Sequence, residues 1–224
     1  MKKKAVIFDF NGTLFFDSDK HIKAWNICAE RLIGRKLTDE EVTKMLGRTN
    51  RLILELILKE DPTDEMVERI GNEKERIYRE LCLENESECK LAPGAVELLD
   101  KLKERNIKVA IATSSDIDNV KFYFDYFDIS KWFTMDNMIY NDGTIAGKPM
   151  PDIYLKAIER IGVSADEAVV FEDAVSGIKA AKAANAGKTI GVLSVDNRKE
   201  LEEAGADEII RDFYDVSDID QLLS

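Results

Sequence analysis

Histidine and cysteine are scarce in this sequence, and their scarcity excludes several kinds of site. His21 is the one histidine among 224 residues, so a metal centre built from several histidines is excluded. The three cysteines, Cys28, Cys82 and Cys89, are odd in number, widely spaced and form no CxxC pair. We therefore expect neither a disulfide framework nor a zinc site, and we predict a cytoplasmic protein with reduced thiols.

Long apolar runs and an excess of positive charge are also missing. No run is long enough to cross a bilayer, and no signal-peptide core follows the lysines at the start, so no membrane partner is expected. The formal net charge of −12 would repel a nucleic-acid backbone over most of the surface, so no nucleic-acid partner is expected either. An anionic substrate would need a local positive patch or a metal ion in order to bind.

Apolar residues make up 45% of the sequence, which is enough for a sizeable folded core. Short apolar runs predict buried parallel strands, and amphipathic segments between them predict helices. The predicted strands span 5–8, 107–112, 138–140, 169–171, 189–193 and 208–210. This alternation predicts an α/β fold, a doubly wound parallel sheet of Rossmann-like type. The protein is expected to be a monomer. The aromatic residues of 122–127 have helical spacing and are predicted to pack in the core or against another helix.

Residues 16–89 differ from the rest of the chain because they show no strand pattern. Capping residues and apolar periodicity predict helices over 20–33, 38–47, 51–59 and 64–84, with Asn50 capping the third. We therefore predict a core formed by 1–15 and 90–224 and an inserted all-helical cap domain over 16–89. Such a cap could close on a substrate.

Polar side chains follow several of the predicted strands. Asp9 follows the first strand, Thr113 the second and Glu172-Asp173 a later one, while Lys148 lies in a nearby loop. Each has a simpler explanation as a turn residue, a helix cap or a solvated charge. The carboxyl ends of parallel strands nevertheless meet at one edge of a sheet, where open α/β sheets bind ligands. Their joint placement therefore favours a single site.

The charges of this predicted site favour a phosphate-binding function. Two unit charges about 4 Å apart interact by roughly 4 kcal/mol at an effective dielectric constant near 20, so Asp9, Glu172 and Asp173 would repel one another. A magnesium ion and Lys148 would bring the site near neutrality, and oxygen ligands suit Mg²⁺. Thr113 and backbone amides could hold phosphate oxygens while Asp9 attacks phosphorus and forms an aspartyl-phosphate. We therefore predict Mg²⁺-dependent phosphoryl transfer from a small phosphorylated metabolite.

Four sequence motifs, spread through nearly the whole predicted core, carry a family resemblance. They are DFNGT at 9–13, VAIATS at 109–114, GKPMPDIY at 147–154 and VVFEDAVSGIKAAKAANAG at 169–187. With them the chain resembles the haloacid dehalogenase superfamily, in the branch with a helical cap. Within it the chain is most similar to β-phosphoglucomutases and related sugar-phosphate phosphatases, a likeness to which HIKAW at 21–25 and the Gly47 region add.

The resemblance implies roles for the residues of the predicted core. Asp9 would be the nucleophile and a magnesium ligand, and the backbone carbonyl of Asn11 would also bind magnesium. Glu172 and Asp173 would complete the metal site, directly or through water. In the same way Thr113 would hold the transferring phosphoryl group, and Lys148 would neutralise the nucleophile and the phosphate.

The resemblance also implies a substrate-binding set. Gly47 would lie in the substrate-specificity loop of the cap. The other candidates for substrate contact are His21, Arg48, Asn50, Arg51, Ser114 and Ser115.

Position 11 departs from the family pattern. The family usually has a second aspartate there, which protonates the leaving group, whereas Asn11 cannot move a proton. General acid–base catalysis is typically worth ~10²–10⁴ in rate, so slow catalysis is expected unless something compensates. Four accounts stay open: a substrate with a good leaving group such as an acyl phosphate, proton transfer by His21, an inactivating substitution, or partial deamidation at Asn11-Gly12.

Three other functions stay open beside a phosphatase. A phosphomutase must hold a second phosphate, and Asp116-Ile117 replaces the Lys-Asn pair that related mutases have, so we rank the phosphatase higher. A dehalogenase would also lack the second aspartate, but it needs no magnesium, and Glu172-Asp173 argues against it. A catalytically silent relative would bind ligand in a metal-dependent way without turnover.

Overall fold

The computed structural model describes residues 2–45, 48–84 and 89–224. The chain forms two compact units, one of Met1–Phe16 with Leu91–Ser224 and one of Asp17–Lys90. That these units act as a catalytic core and a cap stays a prediction. Among the residues that the structure describes, no helix combines the length and the apolar character needed to cross a membrane.

The unit of residues 17–90 is built from helices in its described part. They are α1 (Ser18–Ile33), α2 (Asp39–Met45), α3 (Asn50–Leu58) and α4 (Asp64–Glu84). The predicted capping box precedes α2, where the Thr38 hydroxyl accepts from the Glu41 amide at 3.3 Å and Glu41 accepts from the Thr38 amide at 2.9 Å. The prediction that Asn50 caps α3 is wrong by one residue. Thr49, in an extended conformation, precedes the helix, and Asn50 is its first residue.

The other unit is built on a six-stranded parallel sheet. Its strands are β1 (Ala5–Phe8), β2 (Lys108–Ala112), β3 (Met138–Ile139), β4 (Ala168–Glu172), β5 (Lys188–Val192) and β6 (Glu208–Ile210). Their order is β3-β2-β1-β4-β5-β6, and Ala5 of β1 pairs with Lys108 on one side and Ala168 on the other. This is the predicted doubly wound sheet. Its order reverses beside β1, which is where such sheets bind ligands.

Helices cover this sheet, and the core lies on both sides of β1. The helices are α5 (Ala95–Glu104), α6 (Ile117–Phe127), α7 (Asp152–Ile161), α8 (Val175–Ala183), α9 (Arg198–Ala204) and α10 (Ile219–Leu222), of which α10 was not expected from the sequence. Ile7 packs with Tyr154 of α7 and Ala180 of α8, whereas the ring of Phe8 stacks on Phe171 at 5.3 Å. Successive side chains of a strand point to opposite faces, so a strand covered on both sides is apolar throughout.

Candidate active site

The carboxyl ends of three central strands carry four of the predicted site residues. Asp9 follows β1, Thr113 follows β2, Glu172 ends β4 and Asp173 follows it. The amide of Asp9 donates to the carbonyl oxygen of Phe171 at 3.0 Å, so the ladder between β1 and β4 continues to the site. Because the hydrogen-bonded sheet sets the register of these strands, it also sets which side chains meet at its edge.

Lys148 bridges two of these carboxylates. Its Nζ donates to Oδ1 of Asp9 at 2.6 Å and to Glu172, and it lies 3.3 Å from the carbonyl oxygen of Ala112. The lysine side chain is 7% exposed. Burial by itself would lower the pKa of Lys148, but the carboxylates of Asp9 and Glu172 raise it. The ammonium group therefore stays charged beside the predicted nucleophile.

Glu172 is held by further donors on both of its carboxylate oxygens. The Tyr154 hydroxyl donates to Oε1 at 2.9 Å, and the amide of Ala174 donates to Oε2 at 3.0 Å. Gly177 lies so close that a Cβ atom there would overlap the Glu172 carboxylate. Tyr154 and Gly177 were not predicted as site residues from the sequence. In the sequence they are marked only by their position inside the motifs at 147–154 and 169–187.

Asp173 is held by residues from two other loops. Its Oδ2 accepts from the Ser194 hydroxyl at 2.9 Å, and its backbone carbonyl accepts from the side-chain amide of Asn197 at 2.9 Å. Thr13 lies at hydrogen-bond distance from Oδ1, and a Cβ atom on Gly12, whose φ is +76°, would overlap this carboxylate. Ser194 and Asn197 were also missed, because nothing in the sequence shows that the loop after β5 folds back onto Asp173.

The acidic cluster fits a magnesium ion. One oxygen from each of Asp9, Glu172 and Asp173 lies within 4.8 Å of the others. Burial raises the pKa of Asp9 to about 7, against the lowering effect of Lys148, and burial raises the pKa of Asp173 well above its usual range. The single positive charge of Lys148 therefore does not balance three buried carboxylates. Lys148 together with a divalent cation would balance them. Carboxylate oxygens are also the donors that Mg²⁺ prefers.

Asn11 lies beside this cluster in sequence and is held by hydroxyl groups. Its Oδ1 accepts from the Ser115 hydroxyl at 2.7 Å and from the Tyr123 hydroxyl at 3.0 Å. The amide of Ser115 donates to the Thr113 hydroxyl oxygen at 3.1 Å, and Ser114 is exposed on the same loop. Tyr123 belongs to the aromatic segment that was predicted to pack in the core or against another helix. Its ring is indeed buried, but the sequence did not reveal that its hydroxyl reaches Asn11.

His21 lies in a hydrogen-bonded network of the helical unit. Its Nε2 is 3.2 Å from Oδ2 of Asp17, and its Nδ1 is 2.7 Å from Nζ of Lys74. Asp17 is fully buried and also accepts from the Tyr78 hydroxyl at 2.6 Å. Neither Asp17 nor Lys74 was predicted as a site residue from the sequence. Proton transfer by His21 stays a prediction, now with two ionisable neighbours.

Arg51 and Asn50 contact acidic residues of their own unit. The guanidinium group of Arg51 lies 3.1 Å from Asp61 and also contacts Asp64. The side-chain amide of Asn50 donates to Glu75 at 3.2 Å. Substrate contact by either residue stays a prediction.

Arg48 lines an open groove of about 430 Å³ beside α2 and α3. The groove carries charges of both signs, including Lys44 and Glu55. Gly47, the centre of the predicted specificity loop, lies outside the described residues. The substrate roles of Arg48 and Gly47 also stay predictions.

Comparison with known proteins identifies the family of this chain. Residues 3–185 match the model of a hydrolase family described as haloacid dehalogenase-like hydrolase. The phosphorylated carbohydrates phosphatase of Thermotoga maritima is 33% identical over 213 residues, which cover 93% of this chain and 94% of that protein. The beta-phosphoglucomutase of Bacillus subtilis is 32% identical over 219 residues, which cover 96% of this chain and 92% of that protein.

A solved structure agrees with the sequence matches. The HAD hydrolase, family IA, variant 3 from Entamoeba histolytica superimposes with a TM-score of 0.92 at 40% identity, over 98% of this chain and 97% of that one. The predicted fold and the resemblance to β-phosphoglucomutases and sugar-phosphate phosphatases are confirmed, as is the prediction of an enzyme of the phosphatase or phosphomutase kind. The chain belongs to the haloacid dehalogenase-like hydrolase family.

Proposed function

We propose that this chain is a magnesium-dependent phosphatase that acts on a small phosphorylated sugar through an aspartyl-phosphate. The observation that carries the proposal is the 2.6 Å contact between Nζ of Lys148 and Oδ1 of Asp9 beside Glu172 and Asp173. A carboxylate that is oriented by a buried cation and lies at a strand end is suited to attack phosphorus. The phosphorylated carbohydrates phosphatase of Thermotoga maritima supports the choice of substrate class.

In the proposed reaction Asp9 is the nucleophile and Lys148 holds it in place. The hydrogen bond to Oδ1 fixes the orientation of the carboxylate, and the ammonium charge offsets the negative charge of the phosphoryl group. Asp9, Glu172, Asp173 and the backbone carbonyl of Asn11 would hold Mg²⁺. When bound, this ion would neutralise carboxylate charge and polarise a phosphoryl oxygen.

The loop after β2 is proposed to bind the phosphoryl group. Thr113 is buried at the strand end and Ser114 is exposed next to it, so the hydroxyls of these two residues, with a backbone amide nearby, are the proposed donors to the phosphoryl oxygens. Attack by Asp9 transfers the phosphoryl group to the carboxylate and releases the sugar. Water then hydrolyses the aspartyl-phosphate and regenerates Asp9.

The weak point of this reaction is the proton that the leaving sugar oxygen needs. Asn11 cannot supply it, and its amide oxygen is occupied by two hydroxyl donors. A sugar monophosphate with a poor leaving group should therefore react ~10²–10⁴ times more slowly than with an aspartate at this position. An acyl phosphate, or a proton from His21, would remove part of this penalty.

The helical unit is proposed to act as the cap that selects the substrate, through His21, Gly47, Arg48, Asn50 and Arg51. The proposal extends to a monomer in the cytoplasm. All three cysteines are buried thiols, which supports the reducing compartment.

A phosphomutase is the second candidate, because the Bacillus subtilis relative carries that name at 32% identity. Against it stands Asp116, which follows the Ser114-Ser115 loop and caps α6 by accepting from the Asn119 amide at 2.8 Å. A carboxylate at this point disfavours a second phosphate nearby. We therefore place the phosphatase first.

The deciding experiment is phosphate release from a panel of sugar and acyl phosphates with Mg²⁺. It compares the chain as it is, Asn11→Asp, and Asp9→Asn as the control that lacks the nucleophile. We expect Asn11→Asp to exceed the parent on sugar phosphates and Asp9→Asn to be inactive. Good turnover by the parent alone would mean that the leaving group or His21 replaces the missing acid. If neither the parent nor Asn11→Asp releases phosphate, the phosphatase proposal is contradicted. Assays with a sugar bisphosphate activator would then test the mutase.

A further inference from the structure

The side chain at position 11 is held by a pair of hydroxyl groups from two different segments. Ser115, in the loop after β2, lies 2.7 Å from Oδ1 of Asn11, and Tyr123 of α6 lies 3.0 Å from the same atom. The two hydroxyl oxygens are 2.9 Å apart, so the three polar atoms contact one another. This hydroxyl pair is a local structure that joins the ends of β1 and β2 to α6.

Both hydroxyl groups are fixed by their surroundings. The ring of Tyr123 is fully buried and stacks on Phe10 with a centroid distance of 4.0 Å and an interplanar angle of 19°. Phe10 lies between Asp9 and Asn11 in the sequence. Its stacking on Tyr123 therefore ties the backbone next to the predicted nucleophile to the Tyr123 side chain. The Ser115 backbone is held at both ends, since its amide donates to Thr113 and its carbonyl accepts from the Asn141 amide at 3.0 Å.

The hydroxyl pair suits a carboxylate at least as well as an amide. Hydroxyl groups that donate to an amide oxygen can donate to a carboxylate oxygen in the same place, and the charged acceptor forms the stronger bond. Asn and Asp have the same shape, so the exchange needs no new space. The second carboxylate oxygen would take the place of the amide nitrogen.

We propose that Ser115 and Tyr123 are positioning residues that hold one oxygen of the residue-11 side chain, and that they orient an aspartate there for proton transfer. Ser115 thereby acquires a role different from the substrate contact that the sequence suggested. The catalytic part of this inference rests on the proposed function. The structural part, that both hydroxyls hold Asn11, does not.

The structural part is tested on the chain as it is, by NMR of protein labelled with ¹⁵N-asparagine. The side-chain amide signal of Asn11 is identified by its loss in Asn11→Asp. We expect Tyr123→Phe, which keeps the stacked ring, and Ser115→Ala each to shift this signal, and Ser115→Thr, which keeps a hydroxyl, to restore it. Tyr214→Phe, at an exposed tyrosine, is the matched control and should leave it unchanged. An Asn11 signal that ignores both hydroxyl deletions overturns the inference.

The catalytic part is tested in the Asn11→Asp background. Misplacement of a catalytic group by about 1 Å can cost on the order of 10² in rate, so we expect Tyr123→Phe and Ser115→Ala to lower kcat by about tenfold to a hundredfold. The KM should stay unchanged, because binding is not the affected step, and Ser115→Thr should recover most of kcat. An unchanged kcat in Tyr123→Phe, or a loss confined to KM, overturns the positioning role. If Asn11→Asp itself has no activity, the proposed function fails, whereas the NMR result still decides whether the hydroxyl pair holds residue 11.

Discussion

The hydroxyl of Tyr154 donates a hydrogen bond to Oε1 of Glu172 at 2.9 Å, and both side chains are almost completely buried. Burial and the nearby carboxylates raise the pKa of Tyr154 well above its usual range, so the hydroxyl keeps its proton and stays a donor. Lys148 contacts the same carboxylate and lies 5.2 Å from the centre of the Tyr154 ring. The tyrosine therefore supports both an acid of the predicted metal site and the lysine that orients Asp9.

Tyr154→Phe removes this donor without changing the packing of the ring. Because it leaves a buried carboxylate with one partner fewer, we expect a loss of about 1–3 kcal/mol in the free energy of unfolding. We also expect weaker Mg²⁺ binding. Denaturant unfolding measures the first effect and calorimetric titration the second. Tyr214→Phe is the matched surface control, and equal behaviour of the two variants would contradict the role of Tyr154.

Asp9→Asn should stabilise the metal-free protein at alkaline pH. Burial raises the pKa of Asp9 from its ordinary value of 3.8 to about 7. The stability that this group contributes is therefore fully present below pH 3.8 and is lost as the pH rises through about 7. Asparagine carries no titrating proton, so the variant should melt at a higher temperature than the parent at about pH 8 in the presence of a chelator, and the difference should disappear near pH 4.

Magnesium should make the parent melt at a higher temperature than Asp9→Asn at the same pH. A ligand that binds the folded parent stabilises it, whereas the variant lacks one of the three carboxylates that would hold the ion. Melting curves with and without Mg²⁺ measure the effect. A parent that stays more stable than Asp9→Asn in the chelator at alkaline pH would show that Lys148 alone compensates the buried charge.

Ser194→Ala should weaken metal binding without affecting the fold. The Ser194 hydroxyl donates to Oδ2 of Asp173 at 2.9 Å and so orients a predicted metal ligand. Loss of such a supporting hydrogen bond typically costs on the order of 10–100-fold in metal affinity. Calorimetric titration with Mg²⁺ or Mn²⁺ measures it, and Ser130→Ala, at an exposed serine, is the control. Equal affinities for the two variants would refute a role of Ser194 at the metal site.

Gly177→Ala should disturb the predicted metal site by steric overlap with a ligand. A Cβ atom at this position would overlap the Glu172 carboxylate, so either Glu172 or α8 must move. We expect a lower melting temperature and a loss of Mg²⁺ binding. Gly147→Ala is the matched control, because a Cβ atom there meets open space. Retention of Mg²⁺ binding by Gly177→Ala would mean that the Glu172 side chain can shift without cost.

The main acidic and basic groups of the candidate site could be located from the sequence because of one property of parallel sheets. Their strands all end at the same edge, so Asp9, Thr113 and Glu172 could be placed together once the strands had been recognised. Lys148 was assigned to the same site because the three carboxylates need a positive charge nearby. Which residues support these groups could not be read in the same way. Ser194 and Tyr154 reach their partners from distant segments, and a serine or a tyrosine has many ordinary uses.

The alternation of strands and helices could be read from the sequence, because burial on both faces makes β1 and the first four residues of β4 apolar and amphipathic helices separate the strands. The sequence also determined that the chain lacks an acid at position 11. That the Asn11 oxygen accepts hydrogen bonds from Ser115 and Tyr123 could be seen in the folded chain alone. Such contacts depend on how the strands and helices pack against one another. A hydroxyl bonds its partner only when this packing brings the two oxygen atoms within hydrogen-bond distance.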